Sequence, residues 1–150
     1  MKPCLVILAC GIVLPSCKKN ADSPIKTDQL TKSDWKYDSG GVSDANGNII
    51  VDFNTTGSIP ACSLDNTIHF DANGNGTVYE NANVCQGASA STPFTWSFSS
   101  NETVLNLSAG AIAGIGGSFQ VKEISDTKLS LLKDTTYMGT QVKAVVNLKH

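Results

Sequence analysis

The sequence predicts an all-β domain, a meander of about eight short antiparallel strands closed into a small up-and-down β-barrel. Three observations lead there. From Trp35 onward, apolar and polar residues alternate with period two. Turn-forming pairs (Asn46-Gly47, Asn73-Gly74, Asn75-Gly76, Ser100-Asn101 and Asp126-Thr127) recur between the alternating runs. No run keeps a helical period long enough for a long helix. A meander of this size must hide its edges, which closure into a barrel does most completely. A two-sheet β-sandwich is the alternative that periodicity leaves open.

The elements follow in order. Lys18 to Lys26 is polar, contains Pro24 and reads as a tether. Thr27 to Lys32 suits one helical turn capped by Thr27 or Asp28. Trp35 and Tyr37 alternate with Lys36, and Ile49, Val51 and Phe53 share a face opposed by Ile50 and Asp52. Ile68 and Phe70 oppose His69 and Asp71, and Phe94, Trp96 and Phe98 oppose Thr95, Ser97 and Ser99. Leu105 and Leu107, Phe119 and Val121, and Leu129 and Leu131 follow. Val142, Ala144, Val146 and Leu148 then oppose Lys143, Val145, Asn147 and Lys149. These are half-buried strands. Ala109 to Gly117, small and glycine-rich, reads as a loop at a barrel mouth, because glycine weakens a strand interior.

Ahead of the domain, Lys2, an apolar run from Leu5 to Leu14 and then Pro15-Ser16-Cys17 have the layout of a secretory signal. A run of about ten apolar residues is too short for a bilayer, which needs about 20. Leu14-Pro15-Ser16-Cys17 resembles the bacterial lipobox, in which the signal is cut before a cysteine that is then lipidated. An ordinary secretory signal ending near a cysteine is the plainer alternative. On the lipobox reading, residues 1–16 are a lipoprotein signal peptide, 17–26 the lipidated N-terminus and tether, and 27–150 the barrel domain.

The same reading sorts the five cysteines. Cys4 and Cys10 leave with the signal and Cys17 carries lipid. Cys62 and Cys85 remain as an even pair in an oxidising compartment, which makes a disulfide the expectation. It would close a loop of roughly 24 residues, worth about 3 kcal/mol by chain entropy. With one nearby histidine, the two thiols form no recognisable metal set. The net charge is −2 and all eleven cationic residues are lysine, scattered except for Lys18-Lys19. That distribution excludes nucleic acid as a partner and leaves Lys18 and Lys19 to lie near lipid headgroups.

The order of short motifs carries a resemblance across nearly the whole mature chain. The motifs are the lipobox with Lys18-Lys19, Leu30 to Trp35, Cys62-x-x-Asp65, Phe70, Gly76-Thr77 after an Asn-Gly turn, and Cys85. Thr95-Trp96-Ser97-Phe98, Leu105-Asn106-Leu107, Val121 to Ile124 and Leu129-Ser130-Leu131 complete the series. This order resembles the lipocalin-like lipoproteins common in Bacteroidetes. The resemblance implies a small up-and-down barrel shaped like a lipocalin, with Trp35 plugging its closed end. The chain departs from lipocalins proper at Ser33-Asp34-Trp35, where they carry Gly-x-Trp, and has no arginine to set against the tryptophan. The expected address is the cell envelope, lipid-anchored to the outer membrane. Lys18 to Asp22 lack the acidic cluster associated with surface export in related bacteria, which favours the periplasmic side.

Candidate chemistry is sparse. Asp71-Ala72-Asn73-Gly74-Asn75-Gly76 matches the first half of an EF-hand loop, but Ala82 stands where its closing glutamate belongs. It reads as a hairpin turn, and no metal is assigned. His69 has no nucleophile and orienting acid arranged around it and points away from Phe70, so no catalytic residue and no cofactor are assigned. The aromatic stripe Phe94, Trp96 and Phe98 is the best candidate site, with Leu105, Phe119 and Val142 as further lining for a small apolar ligand. The opposing reading is that these rings fill the core, since large aromatics dominate packing. The expectation is thus a monomeric, non-catalytic, lipid-anchored protein with a small apolar ligand in its barrel. The alternative is a structural or interaction lipoprotein with a filled core.

Overall fold

Each alternating run forms a strand that turns its apolar face inward. The structure, a computed structural model, describes residues 26–44, 48–112 and 115–150. The signal, the lipobox with Cys17 and the Asn46-Gly47 turn lie outside the described residues. Helix α1 (Lys26–Thr31) precedes β1 (Trp35–Ser43) and β2 (Ile49–Asp52), and helix α2 (Phe53–Thr56) and a short 3-10 turn (Ala61–Ser63) follow. Then come β3 (Thr67–Phe70), β4 (Asn75–Tyr79), β5 (Ser91–Ser99), β6 (Val104–Ile112), β7 (Ile115–Ile124), β8 (Lys128–Tyr137) and β9 (Thr140–Lys149).

All pairings are antiparallel, and β9 returns to β1 with Tyr37 opposite Leu148 and Val42 opposite Ala144. Eight strands therefore close a barrel, and β2 is an extra strand hydrogen-bonded to the far half of β1. The sandwich alternative is thereby excluded.

The closed end is built around Trp35. Its ring is fully buried, its Nε1 donates to the Leu30 carbonyl at 2.8 Å, and His150 stacks on it with centroids 3.8 Å apart. Leu30 hangs from α1, so the helix is a lid fastened by its one apolar side chain. Glu102, in the β5–β6 turn, fixes the helix start by accepting from the Lys26 and Thr27 amides and the Thr27 hydroxyl. These bonds satisfy amides that a helix N-terminus leaves unpaired. Above Trp35 the interior is filled by Phe70, Leu105, Phe119, Leu129, Leu131, Val146 and Leu148, each at most 1% exposed. At the opposite end, Ile49, Ile50, Leu64, Val84, Tyr137 and Met138 are exposed apolar residues.

Three expectations are corrected. Phe53 does not extend the β2 strand. Asp52 caps a helix there by accepting from the Asn54 amide at 2.8 Å, and Gly57 ends it at φ +68°. Asn75-Gly76 is not a turn but the start of β4. Ala109 to Gly117 is not a loop, because β6 runs to Ile112 and β7 resumes at Ile115. The glycines are accommodated by a register break between Leu107 and Ile112, the kind of irregularity that bends a strand.

Candidate functional site

The β5 stripe points inward as its alternation requires. Phe94 and Trp96 are buried and Phe98 is partly buried, while Thr95, Ser97 and Ser99 are exposed. Phe70 meets Phe94 and Trp96 edge-on at centroid distances of 5.2 and 5.8 Å, and Trp96 meets Phe98 at 5.7 Å. Such geometry suits the ring quadrupoles. The Trp96 Nε1 donates to the carbonyls of Asp71 and Asn75, and its amide donates to Gly74, so the indole fastens the β3–β4 turn. This turn is the EF-hand-like stretch, and three of its carbonyl oxygens are committed to Trp96. A Cβ at Gly76 would run into the Phe94 ring, so glycine there is what lets the ring approach β4 closely.

The six proposed lining residues sit at different heights. Phe98 pairs with Leu105, and Leu105 with Phe119, in the closed half. Phe94 lies further toward the open end, opposite Gly76. Val142, 6% exposed, lies near the open end of β9 opposite Thr135. The inner wall unites them, but no one point does.

The wall itself is incomplete. In the half toward the open end, three of the eight seams lose their ladder. β1 pairs with β3 only at Trp35 and Lys36, and β2, α2 and Ile59 fill the gap above. β5 pairs with β6 only from Trp96 to Ser99; beyond that the Thr95 amide donates instead to the Ser108 hydroxyl. β7 pairs with β8 only from Gln120 to Ile124. Past this point Lys133 Nζ donates to the Gly116 carbonyl at 2.6 Å, a side chain standing in for the missing ladder.

Grooves follow two of these seams. One of about 380 Å³ is lined by Asp71, Asn75, Gly76, Thr77, Pro93, Phe94, Thr95 and Ser108. The other, also about 380 Å³, is lined by Val104, Ser118, Phe119, Gln120, Leu132, Lys133 and Asp134. Each reaches one core aromatic, Phe94 or Phe119. A smaller groove of about 150 Å³ is lined by Asp44, Asp134, Gln141, Val142 and Lys143.

Two loops near the open end are stitched together. Cys62 and Cys85 form the disulfide, with Cα atoms 5.2 Å apart. Beside it the buried Glu80 carboxylate accepts from Asn66 Nδ2 at 2.9 Å and from the Cys85 amide at 3.1 Å. Asp65 accepts from the Ala82 and Asn83 amides. Glu80, Asn66 and Asp65 were not legible as a unit, because their partners lie across the loop pair.

Two polar groups inside the barrel also escaped the sequence reading. Tyr37 is buried, and its hydroxyl has no hydrogen-bond partner among the described residues. Burial, then the charges of Asp52 and Asp38, push its pKa up to about 12. Lys133 was legible in principle, since it continues the inward alternation of Leu129 and Leu131.

His69 lies on the outer surface, where Asp34 faces its Nδ1 at 2.6 Å and Asp71 its Nε2 at 3.4 Å. The Asp34 hydrogen bond, against some desolvation and with help from both carboxylate charges, raises its pKa. The carboxylates sit on opposite nitrogens and do not converge. Among the described residues no group of three or more His, Cys, Asp or Glu could hold a metal ion.

In comparison with known proteins, the lipocalin-like domain model matches residues 33–131. No curated protein matches the chain.

Proposed function

The chain belongs to the lipocalin-like domain family, and from that premise we propose that it is a lipid-anchored, non-catalytic protein of the cell envelope that binds a small apolar ligand. Lipocalin-like barrels commonly bind small hydrophobic molecules. The observation that carries the reading is the pair of grooves at the open seams, each ending on a core aromatic, Phe94 or Phe119. Volumes of about 380 Å³ fall in the range of small-molecule sites. Trp96, Phe98 and Leu105 then serve as the packed floor, while Phe94, Phe119 and Val142 meet grooves. Lipidation at Cys17, attachment to the outer membrane on its periplasmic side and a monomeric state belong to the same proposal, supported by the lipobox and its flanking residues.

One observation favours the second reading, a filled-core interaction protein: Leu105 and Phe119 are at most 1% exposed. Native mass spectrometry of protein purified from its own organism separates the two. A retained small molecule of one defined mass is expected. Repeatedly clean apo protein would overturn the ligand reading and favour the second.

A further inference from the structure

The β7–β8 seam holds a cation where a barrel wall would ordinarily hold a ladder of amides. Lys133 alternates with Leu129 and Leu131 on the inward face of β8 and stands opposite Ala144 of β9. Its ammonium donates to the Gly116 carbonyl at 2.6 Å and lies 5.5 Å from the centroid of the Phe119 ring. A Cβ at Gly117 would come within 2.8 Å of that nitrogen, and Gly117 has φ +112°, so glycine both adopts the bend and leaves the space.

An ammonium has three donors, and among the described residues only one protein acceptor is engaged here. Among the described residues no carboxylate pairs with Lys133. Asp134, in the same groove, faces Lys143 at 2.6 Å, so its charge is already matched. The groove therefore joins an apolar surface (Val104, Leu132 and the Phe119 ring) to an unmatched positive charge.

We propose that the β7–β8 seam is the binding site for an amphipathic monoanion, an alkyl carboxylate, whose head accepts from Lys133 Nζ and whose chain lies along Val104, Leu132 and Phe119. This deepens the ligand reading above and rests on it. Entry is lateral, through the wall, not through the end of the barrel. Lysine suits the role as a compact point charge on a flexible stem.

Calorimetric titration of the folded domain with decanoate and with 1-decanol tests it. Decanoate is expected to bind about tenfold more tightly, the scale of one hydrogen bond to a charged group. Lys133→Met should abolish that preference while leaving decanol affinity within about twofold, and Lys133→Arg should keep it. Should neither probe bind the native domain, the ligand reading and this inference fail together. Equal affinity for both probes, or a preference that survives in Lys133→Met, overturns the inference alone.

Discussion

Tyr37 shows what one polar atom costs inside a packed barrel. A buried hydroxyl without a partner loses its hydration and gains nothing, at a cost of about 1–3 kcal/mol. Tyr37→Phe removes that atom and keeps the ring, so it should raise stability by about 1 kcal/mol in chemical denaturation. A loss of stability would mean that the hydroxyl has a bound partner in solution.

His69 offers a pH-dependent counterpart. Its folded pKa is raised above the ordinary value near 6.5. The stabilisation it contributes is thus fully present below pH ~6.5 and is lost as pH rises through the folded value. The ring and both carboxylates are substantially exposed, so solvent screening holds the effect to about 0.5 kcal/mol. Thermal melts of the native domain and of His69→Gln should therefore differ at pH 6 and converge by pH 9. A difference that stays constant over that range would place the role of His69 in packing, not in charge.

At the scale of elements, the disulfide and the carboxylates beside it act on the same two loops. By chain entropy the cross-link between Cys62 and Cys85, 23 positions apart, stabilises the fold by about 3 kcal/mol. Replacing both cysteines with serine should lower stability by that amount while the β-sheet circular dichroism of the folded state is retained. An unchanged denaturation midpoint would show that Glu80, Asn66 and Asp65 suffice to hold the loops. The strands were legible because their period is two and one face is apolar, and the β5 stripe is the clearest case. Phe53 was misread because alternation ran one residue past the strand, and the Asp52 cap outweighed it. The stretch from Ala109 to Gly117 was not legible as strand because glycine more often interrupts one, whereas here it lies where the strand pair shifts register. The seams were not legible at all, since where a ladder stops depends on register between strands and not on either strand's residues.

For the molecule as a whole, closure followed from short-range pattern plus the need to hide edges, and the tryptophan plug from the resemblance to lipocalins, whereas the site depends on where that closure is imperfect. The proposed attachment would be a separate property, carried by residues before the domain. Cys17→Ala should leave the barrel folded and release the protein from the membrane fraction. Protein that still sediments with membranes would rule out a lipid on Cys17 as its anchor.

The lid helix has a geographical consequence. The described chain enters at Lys26, which Glu102 ties to the closed end. A chain leashed at Cys17 would therefore hang from its sealed pole, within roughly 30 Å of the bilayer, the most that so few residues can span. Its exposed apolar rim would look away from the anchoring lipid, and its side seams would open parallel to the membrane plane. Cargo would then be exchanged with the surrounding compartment and with whatever meets the outward rim, while an anchoring bilayer would face only the plugged base.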